Sequence, residues 1–235
     1  MTSDSRYVSA GPENATQSAT AYERLRQDIL SCRLEPGKKL TINVLCADLE
    51  LSLGAVREAL SRLLSEDLVI AEPQRGYRVT PVSAAELTDL TKARVHIETA
   101  CFVRSIQVGD LQWEGRIVAA FHQLSRTPER TTKEPKVLSD AWVQVHSQFH
   151  NSLVSACDSQ WLLRIREMLF SRWERYIRLS VPLARVDRDT NVDHQQLMDV
   201  AMSRNKKEAS RLLSTHIERT TQILLDSNVD FDSAL

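Results

Sequence analysis

The chain has 235 residues, with 30 Lys plus Arg against 31 Asp plus Glu and a formal net charge of −1. A 42% hydrophobic share with only 6 Gly and 7 Pro describes a folded chain with a sizeable core and excludes collagenous, low-complexity and disordered classes. The balanced charge gives no global positive field, so any nucleic acid must be met by a local surface. No apolar run approaches the roughly 20 residues of a membrane span. The first residues lack a basic-then-apolar leader pattern, so a cytoplasmic protein with no membrane partner is expected. Cys32, Cys46, Cys101 and Cys157 form no C-x-x-C pair. That argues against a disulfide scaffold and a thiolate zinc site, and for buried small side chains.

Residues 1–18 are small and polar without periodicity and read as a flexible arm. From about Ala19, Tyr22, Leu25, Ile29 and Leu30 fall at helical spacing, and Pro36-Gly37 ends that pattern. Thr41 is placed to cap a short second helix carrying Val44, Leu45 and Leu49. Ser52 opens a third, in which Val56, Ala59, Leu60 and Leu63 make one apolar stripe while Gly54, Arg57, Glu58, Ser61 and Arg62 face away. Leu68–Ala71 and Tyr77–Val79 are short β-type runs around a turn that contains Arg75-Gly76. Three helices and a two-stranded wing within residues 19–82 are the layout of a winged helix-turn-helix.

From Ser83 the β-type runs and glycines nearly vanish. Six helices are expected, at about 83–107, 110–126, 135–156, 159–179, 186–203 and 206–227, giving an all-α bundle over 83–228 and a tail over 229–235. The loops fall at Thr127-Pro128, Thr131–Pro135 and Val181-Pro182. The fold class is therefore mainly α, an N-terminal winged helix-turn-helix followed by a helical bundle.

The major groove admits one helix, and exposed polar side chains on it read the base edges, with Arg to guanine the commonest specific contact. Arg57, Ser61, Arg62 and the small Gly54 offer such a face. Arg75 at the wing suits the neighbouring minor groove, and Gly76 lets backbone approach phosphate. Helix starts at Thr41 and Ser52 suit phosphates. A polar face on a short helix is equally a solvated face. Between Ala19 and Val82 nine basic residues (Arg24, Arg26, Arg33, Lys38, Lys39, Arg57, Arg62, Arg75, Arg78) meet nine acidic ones (Glu23, Asp28, Glu35, Asp48, Glu50, Glu58, Glu66, Asp67, Glu72), so charge does not decide between the two.

The words themselves carry more weight. PGKKL, LCADLELSLGAVREALSRLLSEDLV and QRGYRV resemble the N-terminal domain of GntR-type transcription regulators, through Pro36, Gly37, Leu40, Ser52, Val56, Arg57, Glu58, Ala59, Leu60, Leu63, Leu68, Arg75, Gly76 and Val79. The resemblance implies sequence-specific binding to double-stranded DNA at an inverted repeat by a homodimer. Two departures stand out: Leu53 occupies the place of an arginine that such proteins commonly use on DNA, and Asp67 stands where glycine is usual.

Among six histidines, His146 and His150 are four apart in an expected helix, so both imidazoles leave one face. His194 and His216 each lie eleven residues from Asn205, where two expected helices meet, and equal distance from a hairpin turn brings two residues level. Four imidazoles converging in a bundle would suit zinc first, with nickel, copper or iron(II) as alternates. Histidines at a core edge meet the same spacing without any metal.

The helical region resembles the FCD ligand-binding domain of the FadR branch of these regulators, with the six helices of its VanR-type subgroup. In metal-binding members of that group an Asp-x-x-Phe-His motif and two later histidines hold the ion. Here the stretch reads His146-Ser147-Gln148-Phe149-His150, followed by His194 and His216, with His146 in place of the aspartate. That exchange removes a negative charge and favours softer metals. Asp193, beside His194, suits an outer position or plain solvation.

The resemblance further implies a small carboxylate effector. Arg94 and Glu98 match an Arg-x-x-x-Glu pattern on the first helix of that domain, and Arg175, Tyr176 and Arg178 are candidates to line the cavity. An ordinary set of surface ion pairs is the alternative for these five. Trp142, Trp161 and Trp173 read as core or interface. The expectation is a non-enzymatic, ligand-responsive repressor. The rival is a metal-dependent hydrolase or lyase working through the four histidines.

Overall fold

The computed structural model describes residues 12–73, 75–130, 138–180 and 190–226. The first eleven positions of the expected arm, the Thr131–Pro135 and Val181-Pro182 loops and the 229–235 tail lie outside the described residues. The chain divides between Val82 and Ser83 into two compact units.

The first unit is built from α1 (Pro12–Leu30), β1 (Lys39–Leu40), α2 (Ile42–Leu49), α3 (Leu53–Ser65), β2 (Val69–Glu72) and β3 (Gly76–Val79). α1 starts seven positions before the expected Ala19, so residues 12–18 are helix and not arm. Proline is well placed at a first helical position, and polar turns can extend a helix whose later turns are anchored in a core. That anchor is Ala21, Leu25 and Ile29, packed with Val56, Ala59, Leu60 and Leu63 of α3, all deeply buried. The α3 stripe read from the sequence is thus the buried stripe.

The wing has three strands, not two, in the order β1-β3-β2. β1 pairs Lys39 with Arg78 and Leu40 with Tyr77. Two residues carry no periodicity, which is why that strand escaped the sequence. Gly76 has φ +94, a left-handed conformation that favours glycine at the hairpin turn. Asp67 also takes a left-handed φ of 54, accounting for the departure from glycine: a short polar side chain tolerates this region at a cost of about 1 kcal/mol. Thr80 Oγ1 donates to the Asp67 carbonyl at 2.7 Å and helps hold that turn.

The second unit is all helix: α4 (Ala84–Val108), α5 (Leu111–Arg126), α6 (Asp140–Val154), α7 (Gln160–Ser180), α8 (Thr190–Met202) and α9 (Lys206–Asp226). α4 packs against α9, α7 and α6, while α5 packs on α6 and α8. Ser83, Asp110 and Ser139 cap α4, α5 and α6 by accepting from the backbone amides of Glu86, Trp113 and Trp142. The Ser139 cap sets the start of α6 five residues after the expected 135. α8 and α9 form a hairpin in which Arg204 is left-handed and Asn205 Oδ1 accepts from the Glu208 amide at 3.1 Å. Among the described residues no helix is long and apolar enough to cross a membrane.

Leu60 is fully buried at the centre of the first unit. Leu60→Ala is expected to cost about 2–5 kcal/mol through lost burial and the cavity left behind. Equilibrium denaturation checks this as a lower midpoint for the transition of that unit.

Candidate metal centre and nucleic-acid interface

The buried face of α6 is Trp142, Val143, His146, Phe149, His150, Leu153 and Val154, a helical stripe in which two members are imidazoles. His194 occupies the buried face of α8 with Leu197, Val200 and Ala201, and His216 that of α9 beside Leu213 and Ile217. The hairpin brings His194 and His216 level, with ring centroids 5.0 Å apart. His146 and His150 are 4.5 Å apart, and His150 lies 5.3 Å from His194 and 5.2 Å from His216. One ligand atom from each of the four buried histidines lies within 4.8 Å of every other.

Zinc–nitrogen bonds are about 2.0–2.1 Å, so the four rings must close inward by about an ångström on a single ion. The donor set fits one. His150 is almost fully buried and its Nε2 has no hydrogen-bond partner among the described residues. Burial, followed by the neighbouring His146, His216 and His194, pushes its pKa well below 6.5. A neutral imidazole with an unused lone pair is what a metal requires.

The support around these rings was only partly read from the sequence. Trp142 stacks on His146 at 4.6 Å, and Trp173 of α7 lies nearly parallel to the same ring at 6.3 Å. Phe149 meets His150 and His194 edge-on at 5.5 and 5.3 Å. Tryptophans 142 and 173 are therefore core, as expected, whereas Trp161 is 73% exposed. Trp161 sits on the outer face of α7, opposite the stripe that carries Trp173. Asp193 faces Arg219 of α9 at 3.8 Å.

Arg94 and Glu98 are buried and paired, Nη2 to Oε1 at 2.6 Å. The sequence had left a solvated ion pair open, but burial excludes it. Arg166 on α7, which no motif flagged, completes the group. Its Nε lies 3.5 Å from the other Glu98 oxygen, and its Nη1 donates to Asn151 Oδ1. A period-3.6 reading places Arg166 on the same face as Phe170, Trp173 and Ile177, which is the signal that would have found it. Burial pushes the Arg94 pKa below the usual guanidinium range, Glu98 opposes that, and Arg166 adds to it.

The other effector candidates are engaged elsewhere. Tyr176 donates to Glu86 Oε2 at 2.5 Å, while the Ser83 amide donates to its hydroxyl oxygen at 3.1 Å. Burial and Glu86 raise its pKa. Arg178 donates to Asp140 at 2.7 Å and to Glu174 at 3.2 Å. The bonds of Arg178 are the ion pairs that its spacing also allowed. Arg175 is buried, not the surface residue that its spacing also allowed.

In the first unit, Ser52 Oγ accepts from the Ala55 amide at 3.3 Å and starts α3. Thr41 holds the N-cap position of α2 but makes no side-chain cap bond. Gly54, Arg57 and Ser61 are exposed along one side of α3, and a Cβ at Gly54 would meet nothing within 4 Å. Leu53 is exposed beside them. Arg75 is exposed at the wing turn next to Gly76. Arg62 is also exposed, and its guanidinium stacks 3.7 Å over the Tyr22 ring of α1.

A winged helix joined to a helical bundle whose centre gathers ligand-type side chains defines a DNA-binding regulator with a sensing domain. Residues 17–79 match the bacterial regulatory proteins of the gntR family, and residues 89–219 match the FCD domain. The chain is 38% identical over 203 residues to the HTH-type transcriptional regulator BphR of Paraburkholderia xenovorans, covering 86% of this chain and 83% of that one. It is 34% identical over 204 residues to the HTH-type transcriptional repressor GlaR of Escherichia coli, covering 85% and 92%. A GntR regulator structure from Rhodococcus sp. RHA1 superposes with a TM-score of 0.72 at 23% identity, over 89% of this chain and 98% of that one. The chain belongs to the GntR family and carries an FCD effector domain. It is a DNA-binding transcriptional regulator, and neither its family nor these relatives are enzymes, which removes the hydrolase or lyase alternative.

Proposed function

We propose that this protein is a homodimeric repressor whose second unit holds a divalent transition metal, zinc first, and a small organic acid, and whose first unit reads an inverted repeat. The observation that carries the metal is the convergence of four buried histidines within 4.8 Å, one with an orphaned nitrogen. All four ligands are neutral, so they suit a soft or borderline ion and leave its charge uncompensated. An organic acid fits that remainder, since a carboxylate brings both a ligand oxygen and a negative charge.

On the DNA side, Arg57, Ser61 and Gly54 form the reading face, Arg75 and Gly76 the wing contact, and the starts of α2 and α3 at Thr41 and Ser52 the phosphate contacts. Repression is supported by relatives that are themselves repressors, GlaR and the gluconate operon repressor of Bacillus subtilis. Dimerisation is supported by α7. Its outer face exposes Trp161, Ile165 and Met168 at i, i+4 and i+7. Arg164 flanks that stripe, its guanidinium 5.5 Å from the Trp161 ring centroid, and a C2 contact of two such stripes would bury all three apolar side chains. The domain boundaries follow: 19–82 for DNA, preceded by the 1–18 segment, and 83–228 for metal and effector.

Three measurements check this. His150→Ala combined with His194→Ala is expected to abolish co-purifying metal, read by elemental analysis without chelator; an unchanged metal content would refute the site. Arg57→Ala is expected to lose sequence preference in selection from a random duplex library while keeping its circular dichroism spectrum, and retained preference would move the reading face elsewhere. Trp161→Glu with Ile165→Glu is expected to halve the mass seen by light scattering, and an unaltered mass would remove α7 from the interface.

A further inference from the structure

Along the outward side of α3 the first turn differs in kind from the second. Leu53 is the first residue of the helix and is 46% exposed, whereas Ile42, Cys46, Leu49 and Leu51 before it pack against the core of the first unit. Residues 52–55 bring no cationic, acidic or amide side chain, and the Ser52 hydroxyl is engaged as acceptor from the Ala55 amide at 3.3 Å. One turn on, Arg57 and Ser61 supply polar groups, and Leu53, Arg57 and Ser61 follow one another at i, i+4 and i+8, all exposed. A single exposed leucine is commonplace on a protein surface. Leu53 is set apart by its place, because the N-terminal residues of this helix are the ones that a helix-turn-helix brings to base edges.

The side chains present decide what that first turn can read. In the major groove guanine offers two acceptors and is met by Arg or Lys, adenine by Asn or Gln, and cytosine by a carboxylate. None of these residue types stands at 52–55. Thymine alone of the four bases carries an apolar group on that edge, the C5 methyl, and covering it removes apolar surface from water. Gly54 has no side chain to hold the turn off the duplex, and nothing lies within 4 Å of where its Cβ would stand. The Ser52 cap fixes the turn from which Leu53 projects.

We infer that Leu53 is a specificity-determining residue that selects a thymine in each half-site by covering its C5 methyl group, while Arg57 and Ser61 read neighbouring bases by hydrogen bonds. This rests on the α3 reading face proposed above and deepens it. Four residues of helix rise about 6 Å and base pairs stack about 3.4 Å apart, so the thymine lies within two base pairs of the one that Arg57 reads. The selection works through buried area and not through polar pairing. One methyl group is therefore worth about fourfold in affinity.

The test removes the methyl group and nothing else. The full chain selects its site from a random duplex library, each thymine of the recovered half-site is replaced singly by deoxyuridine, and binding is read by fluorescence anisotropy at fixed salt. For the parent protein, one thymine within two base pairs of the position that Arg57→Ala relaxes is expected to lose about fourfold in affinity on this exchange. Leu53→Ala is expected to bind the thymine and uracil duplexes alike, and Leu53→Arg to change the base enriched at that position from thymine to guanine. Equal binding of all the uracil duplexes by the parent protein overturns the inference and leaves the α3 reading face standing. That comparison needs no variant, so a misfolded Leu53→Ala protein does not rescue it. A half-site with no thymine in that window, or a methyl preference undiminished in Leu53→Ala, also overturns the inference. Selection that enriches no sequence at all refutes the reading face itself.

Discussion

The second unit depends on taking four imidazoles out of water. Burial favours the uncharged form of a histidine, and at His150 the neighbouring His146, His216 and His194 add to the penalty on protonation. A neutral ring leaves a basic nitrogen, and among the described residues nothing donates to Nε2 of His150. An apolar core of this kind would be more stable with leucines in those places. That it keeps four nitrogen bases, clamped by Trp142, Trp173 and Phe149, is the physical argument for a ligand. The replacement of an aspartate by His146 keeps the donor count but leaves a bound cation's charge to be met by something from outside.

The first unit solves a different problem with the same means. α3 buries one side against α1 and leaves the other in water, and the division falls where the 3.6-residue period puts it. Arg62 is the instructive exception. It lies on the polar half of α3 yet stacks on Tyr22, whose hydroxyl in turn donates to Glu66, while Arg26 bonds Glu66 at 3.0 Å. An arginine on the outer half of a helix thus also helps to hold two helices together, while Arg57 and Arg62 both remain exposed on α3.

Much of this was legible because it followed from period and punctuation. The α3 stripe, the six long helices and the levelling of His194 with His216 about Asn205 needed only spacing, caps and the hairpin geometry. What escaped were features without a period. β1 is two residues long and α1 runs back through a polar stretch marked as helix by Pro12 alone, whereas the period of α7 shows Arg166 on the buried stripe but not its pairing with Glu98 of α4. Tyr176 and Arg178 show the converse. Their residue types suit an anion, but Tyr176 bonds Ser83 and Glu86 and Arg178 pairs with Asp140 of α6 and with Glu174 one turn back, and of these partners only Glu174 follows from spacing along the chain.

Those tertiary bonds give α7 a distinctive position. Along one helix it presents Trp161, Ile165 and Met168 outward, Arg166 and Trp173 toward the buried charges and rings, and Tyr176 to the first turn of α4. Ser83, to which Tyr176 bonds, directly follows the last residue of the DNA-binding unit. Helices in a packed bundle shift as rigid bodies between discrete arrangements and do not bend smoothly. Arg166 and Tyr176 thus belong to one rigid element, the first among the buried charges and the second bonded at the first turn of α4. Differential contact with two positions of α7 is all that a ligand needs in order to bias the chain between two states.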